Sequence, residues 1–153
     1  MQVQTPLQQS NGQRRGVAAV EFALVLPLFL ALVLGIVEFG RAMMVGQMVT
    51  NAAREGARLA VLNGASNDEV EAAVVDNLQR TLGISSEITD GVSVSFTVEP
   101  DTGHPDAGDE VGNALSRDLC TVEVRVSHEL VKYHNLTYLA NSDYVARSAM
   151  RHE

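Results

Sequence analysis

An apolar segment near the N-terminus, residues 17–37, restricts what this chain can fold into more than any other feature. It runs VAAVEFALVLPLFLALVLGIV, and Glu21 is its only charged residue. A helix needs about 20 apolar residues to cross the hydrocarbon core of a bilayer. The uncharged run from Phe22 to Val37 is also longer than the apolar region of a cleavable secretory signal. The segment therefore predicts a retained membrane anchor, with a transmembrane helix over residues 17–38.

The charges divide the chain into parts of different character. The formal net charge is −8 at pH 7, and the acids are concentrated in residues 63–153, which hold 16 acidic and 6 basic residues. Arg14 and Arg15 precede the apolar segment without any acid, which favours a cytoplasmic N-terminus. The predicted organisation is a cytoplasmic leader (1–16), the transmembrane helix (17–38), a helical stalk (39–62) and an extracytoplasmic domain (63–153).

Several classes of function are disfavoured by composition. An acidic chain without a basic run is a poor nucleic-acid binder, because such binding relies on neutralising phosphates. A single cysteine excludes an intrachain disulfide and a Cys-rich zinc site. The four histidines lack ligand spacing, and no catalytic triad order, phosphate loop or paired catalytic carboxylate stands out. We therefore expect no enzymatic activity, no metal and no cofactor.

The stalk carries a row of small residues. Ala52, Gly56 and Ala60 recur every four residues, so they share one face of a helix and permit close contact with another element. Two interpretations remain open: the row packs on the chain's own domain, or it packs on the helix of a partner protein. The stalk helix is expected to end near Asn63 and Gly64, which form a C-cap signal.

Residues 63–153 predict a small α+β domain. Ser66 and Glu69 form a capping-box pattern at the start of a short amphipathic helix that Gly83 would end. Alternating apolar residues predict strands at 92–98 and 120–126, and a third strand is predicted at 144–150. The fold class is therefore α+β: a long N-terminal helix, then a short helix against a three-stranded antiparallel sheet. Cys120 lies on the same face of its predicted strand as Val122, Val124 and Val126, which are expected to point inward. This position predicts a buried thiol.

The segment between the first two strands, residues 99–118, is rich in acids, glycine and proline. Clustered carboxylates raise the question of calcium, but the spacing does not fit an EF-hand loop. High charge and low hydrophobicity favour a solvated variable loop instead.

The residues around the start of the apolar segment have a recognisable order. Arg14, Arg15 and Gly16 precede the apolar helix, and Glu21 follows Gly16 by five positions; this arrangement resembles a prepilin-type processing region. The longer run, residues 14–62, resembles the TadE-like family of pilus assembly proteins, which belong to the tight-adherence (Flp) branch of type IV pilus systems. The matching residues are Gly16, Glu21, Phe22, Pro27, Glu38, Gly40, Arg41 and the segment NAAREGAR at 51–58.

This resemblance implies a maturation step and a structural role. Prepilin peptidase would cleave after Gly16, so that the mature chain begins at Val17. Family members act as minor pilins or pseudopilins that support pilus assembly. The implied partners are the peptidase, other pilins, the assembly machinery and membrane lipid. The implied location is the inner membrane, with the chain at the base of the pilus or within it.

Cleavage would give Glu21 a reason to lie in an apolar segment. The new amine on Val17 would be one helical turn away, at i and i+4, or the carboxylate could face the amine of a neighbouring subunit. Either pairing reduces the cost of holding charge in lipid, which makes Glu21, with Phe22, a candidate for helix registry in assembly. The alternatives are a Glu21 that reaches the headgroups and an uncleaved, single-pass, membrane-anchored binding module.

Overall fold

A computed structural model describes residues 11–83, 91–131 and 143–152. The chain divides into two compact units, Met1–Phe39 and Gly40–Glu153. The first helix, α1, runs from Asn11 to Ala60 and includes residues of both units. From Gly16 onward this helix is long and apolar enough to cross a membrane, and none of its most apolar window is buried. In the first unit nearly all large apolar side chains are exposed, as in a helix that faces lipid.

The second unit contains the predicted short helix, α2, from Asn67 to Leu82. The Ser66 hydroxyl accepts a hydrogen bond from the backbone N–H of Glu69, and the Glu69 carboxylate accepts one from the backbone N–H of Ser66. Gly83 ends the helix in the left-handed conformation, with φ 68°, which glycine adopts without a Cβ penalty. Both capping predictions are confirmed.

Three antiparallel strands form one sheet in the order β1-β2-β3: β1 is Val92–Glu99, β2 is Leu119–Val126 and β3 is Tyr144–Arg151. The three strand predictions are confirmed, and each strand is one residue longer than predicted. A 3₁₀ turn (Val111–Asn113) precedes β2, and a four-residue helix, α3 (His128–Val131), follows it.

The register places apolar residues of all three strands on one face of the sheet. Val94 pairs with Val124, which pairs in turn with Ala146. Against this face pack α1 and α2; Val74 and Leu78 of α2 are buried in the same core as Val122. The predicted α+β fold class is thus confirmed.

The end of α1 differs from the prediction. The helix ends at Ala60 rather than near Asn63 and Gly64. Tighter turns follow, because the N–H of Leu62 bonds the carbonyl of Leu59 three residues back, at 3.0 Å. Gly64 has a φ of 84° and lies in this connection to α2, so its C-cap signal marks the turn and not the last helical residue.

Candidate functional site

The residues predicted for processing and registry lie on the exposed apolar part of α1. Gly16, Val17, Glu21 and Phe22 are all exposed, and a Cβ at Gly16 would meet no atom within 4 Å. Val17 and Glu21 are four positions apart in a continuous helix, so their side chains lie on neighbouring turns of one face. Both a cleavage site and an assembly contact require this accessibility.

The small-residue row of the stalk lies in the second unit and is buried. Ala52 and Ala60 have no exposed surface, and Gly56 is buried between them. A Cβ built on Gly56 would lie 2.7 Å from Cγ2 of Val74 in α2 and 3.2 Å from Cγ1 of Val122 in β2. Of the two interpretations left open, the structure has this row packed against the chain's own domain.

The opposite face of the stalk is solvated and charged. Arg58 Nη2 lies 2.6 Å from Glu55 Oε1, and both side chains are about half exposed. The hydrogen bond from Arg58 lowers the pKa of Glu55, and the same bond raises the pKa of Arg58. As an exposed i,i+3 pair it contributes little to helix stability, because solvent screens the two charges.

Arg41, one of the residues that carry the family resemblance, ties the stalk to α3. Its Nε and Nη2 both donate to the carbonyl of Val131, at 3.2 and 3.0 Å. Val131 is the last residue of α3, where backbone carbonyls lack helical partners, so a guanidinium is a suitable cap. The sequence pattern indicated Arg41 without indicating this contact, since the two residues are 90 positions apart.

The acidic segment 99–118 is a largely exposed loop, as predicted, but a few of its residues fix it to the domain. Ala107, Val111 and Ala114 are buried in the core. The side chain of Asn67, at the start of α2, donates to the carbonyl of Asp109 at 3.0 Å and accepts from the N–H of Val111 at 3.0 Å. Scattered apolar residues and long-range hydrogen bonds therefore fix a segment whose composition is typical of solvated loops.

Asp118, the last residue of segment 99–118, accepts hydrogen bonds from several other residues of the segment and is fully buried. Its Oδ1 accepts hydrogen bonds from the N–H of Asp101 at 2.8 Å and from Nδ1 of His104 at 2.6 Å, while Oδ2 accepts from the N–H of Leu115 at 2.8 Å. The two backbone bonds, more than the histidine, lower the pKa of Asp118 to about 2. An ionised carboxylate only accepts, so Nδ1 of His104 carries the proton.

The same residue connects the segment to the C-terminal strand. The N–H of His152 donates to the carbonyl of Asp118 at 2.9 Å, and the carbonyl of His152 accepts from the N–H of Arg117 at 2.8 Å. The structure thus gives His104 and His152 positions that sequence analysis missed. Their spacing carries no signal, because the contacts are long-range and involve backbone atoms that every residue possesses.

No metal site emerges from the described ranges: they contain no group of three or more His, Cys, Asp or Glu side chains placed to hold an ion. The carboxylates of segment 99–118 are instead engaged with backbone donors. Asp106 accepts from the N–H of Gly108 at 2.9 Å, and Asp109 accepts from the N–H of Val98 at 3.3 Å.

Two further buried side chains have distinct surroundings. Cys120 is free and has no exposed surface, as predicted. Burial raises the pKa of its thiol, and the negative charge of Asp118 raises it further.

His128 is 8% exposed and stacks on Tyr144, with 6.0 Å between the ring centroids. Both of its ring nitrogens are buried, and neither has a hydrogen-bond partner among the described residues. Sequence analysis assigned no role to this histidine. His134 lies outside the described residues.

Comparison with known proteins identifies one part of the chain. No curated protein and no solved structure matches it significantly. A family model does match: residues 16–58 correspond to the family described as TadE-like protein. The matched segment starts at Gly16 and includes the exposed apolar helix, Arg41, and Ala52 and Gly56 of the buried stalk row. Residues 16–58 are therefore similar to the TadE-like family, the family that these residues resemble by their sequence pattern.

Proposed function

We propose that the protein is a minor pilin or pseudopilin that supports assembly of a tight-adherence pilus and is matured by prepilin peptidase after Gly16. The observation that carries the proposal is the family match over residues 16–58 on a helix whose apolar side chains are exposed. The helix anchors the chain in the inner membrane, with Arg14 and Arg15 on the cytoplasmic side and the α+β domain outside. The chain acts as a substrate and structural subunit and catalyses no step.

Cleavage prepares the helix for assembly. Hydrolysis of the Gly16–Val17 peptide bond leaves a carboxylate on the released leader and an amine on Val17. An α-amine of this kind is a base and can carry a positive charge. The exposed Glu21 carboxylate, one turn away, pairs with this amine or with that of a neighbouring subunit. This charge pair fixes the register of packed helices.

The first test is the mass of the purified full chain after expression with and without active prepilin peptidase. We expect the peptidase to remove residues 1–16 from the native chain and from a Gly35→Leu variant, and to leave a Gly16→Leu variant intact. Gly35 is a matched control, because like Gly16 it lies in α1 with no atom within 4 Å of a built Cβ. An intact native chain in the presence of active peptidase would instead support the uncleaved anchored binding module.

The second test separates cleavage from assembly. A Glu21→Gln variant keeps the side-chain size and removes the charge. We expect the leader to be removed normally and the number of pili to fall roughly ten-fold. This corresponds to a loss of about 1.4 kcal/mol from each contact between subunits. Pili are counted by electron microscopy, and an exposed Glu99→Gln variant serves as the control. Normal pilus numbers in Glu21→Gln cells would remove Glu21 from the assembly mechanism while leaving processing in place.

A further inference from the structure

The outer face of the sheet, opposite the core, carries an unusual share of the domain's positive charge. Residues 63–153 are strongly acidic, yet Arg125, Arg147 and Arg151 all belong to the outward set of β2 and β3, and all three are exposed. Arg117 lies beside Arg151, and its backbone carbonyl accepts a hydrogen bond from Arg151 Nη1 at 2.9 Å. We call the outward residues of β2 and β3 the arginine face.

The acids on the arginine face do not saturate its guanidinium groups. Glu123 is shared by two of them: Arg147 Nε lies 2.5 Å from one carboxylate oxygen and Arg125 Nη2 lies 3.3 Å from the other. The hydrogen bond from Arg147 is the main cause of the lowered pKa of Glu123. The lowered pKa keeps the Glu123 carboxylate ionised. Arg125 Nη1 also lies 3.7 Å from Asp143 Oδ2, yet the side chains of Arg125 and Arg147 remain 51% and 71% exposed and can contact a further anion.

A surface of opposite charge lies on the other layer of the same domain. Helix α2 carries Asp68, Glu69, Glu71 and Asp76 against a single basic residue, Arg80. Glu69 is used in the capping box and Asp76 pairs with Arg80. Asp68 and Glu71 are exposed and make no described hydrogen bond or ion pair. The buried residues of α2 face the core, so its solvated face points away from the sheet.

The two surfaces agree in pattern as well as in charge. On β3, the small exposed residue Ala149 lies between Arg147 and Arg151, two positions away on either side. On α2, the small exposed residue Ala72 lies between Asp68 and Asp76, one turn away on either side. The helix of 16 residues is about 24 Å long and the strand of 8 residues is about 26 Å long, so the surfaces also match in length.

We infer that the arginine face of one copy of this chain docks the solvated face of α2 of a second copy. Since the two surfaces lie on opposite layers of one domain, they cannot meet within a chain. Because they differ from each other, their contact is heterologous and repeats from copy to copy. Small residues at the centre allow close approach, and the surrounding charge pairs set partner and register. This inference rests on the domain alone and goes beyond the proposed processing and anchoring.

The experiment uses two differently tagged full-length variants, Ala72→Cys and Ala149→Cys, mixed in non-ionic detergent and oxidised. The native Cys120 is buried and does not compete. We expect the mixed disulfide dimer to exceed either same-variant dimer at least five-fold, because only the heterologous contact brings these positions within disulfide reach. Adding 0.5 M salt should reduce the yield, since exposed charges are then screened. A mixed yield no higher than the same-variant yields would overturn the inference.

Charge reversal supplies the specificity control. Arg147→Glu with Arg151→Glu on the Ala149→Cys copy should lower the mixed yield at least five-fold, and Asp68→Arg with Asp76→Arg on the other copy should restore it. Arg54→Glu, which reverses one charge on the stalk, should have no effect. Protection of Cys120 from thiol reagents shows that each variant is folded. Equal yields with and without the reversed arginines would refute the docking.

Discussion

Replacing Gly56 with leucine is expected to unfold or severely destabilise the domain. A Cβ at this position would already lie 2.7 Å from Val74 and 3.2 Å from Val122, before any further atom of the side chain is placed. Both neighbours are β-branched and fully buried, so neither can rotate away easily. Overpacking of a filled core costs about 1–3 kcal/mol for added methylenes, and we expect at least about 3 kcal/mol for leucine here. The melting temperature should fall by more than about 10 °C.

The measurement exploits the single buried thiol. Cys120 pairs with Val98 and Met150 in the sheet, so its reaction with a thiol reagent reports opening of the core. Gly46→Leu is the matched control, because Gly46 lies in the same helix and a Cβ there meets nothing within 4 Å. We expect that variant to gain up to about 1 kcal/mol from helix propensity. Equal labelling of the Gly56 and Gly46 variants would contradict the packing described for the stalk.

Local patterns were sufficient for the elements of the fold. The alternation at 92–98 and 120–126 predicted β1, β2 and the buried Cys120, because a strand's side chains alternate between two faces whatever its partners are. The capping box at Ser66 likewise depends only on residues three positions apart. The row of small residues around Gly56 predicted close packing. The elements against which it packs could be identified only from the structure, because Val74 and Val122 are distant from Gly56 in sequence.

The candidate site was harder to predict where contacts are long-range. Segment 99–118 has the composition of a solvated loop, yet Asp118 organises it through the N–H groups of Asp101 and Leu115. Backbone donors have no sequence signature, so neither these bonds nor the His104 contact could be read from residue spacing. For the N-terminal residues the opposite holds: Gly16 and Glu21 were identified by resemblance, and the family match covers both positions.

Removing the carboxylate of Asp118 is expected to destabilise the domain at neutral pH and to change its response to acid. In the folded chain the pKa of Asp118 is about 2, below the ordinary 3.8, so folding favours the ionised form. The resulting stabilisation is fully present above about pH 4 and is lost as the pH falls toward 2, because the unfolded chain takes up the proton first. The asparagine of Asp118→Asn does not titrate. Its amide N–H₂ would face the N–H of Leu115 or that of Asp101, so one of these backbone donors would lose its acceptor.

We therefore expect Asp118→Asn to melt roughly 5–10 °C below the native chain at pH 7, and the difference to shrink toward zero near pH 2. Unfolding of the full chain in non-ionic detergent, followed by circular dichroism from pH 7 to pH 2, measures both. Asp106→Asn is the control: Asp106 is exposed and, among the described residues, accepts one hydrogen bond, from the N–H of Gly108 at 2.9 Å. The melting temperature of this variant should shift by no more than about 2 °C. A constant deficit across the pH range would show that the variant loses packing and not the charge of Asp118. That result would leave the ordered segment without its electrostatic cause, because no other carboxylate in it combines full burial with two short backbone hydrogen bonds among the described residues.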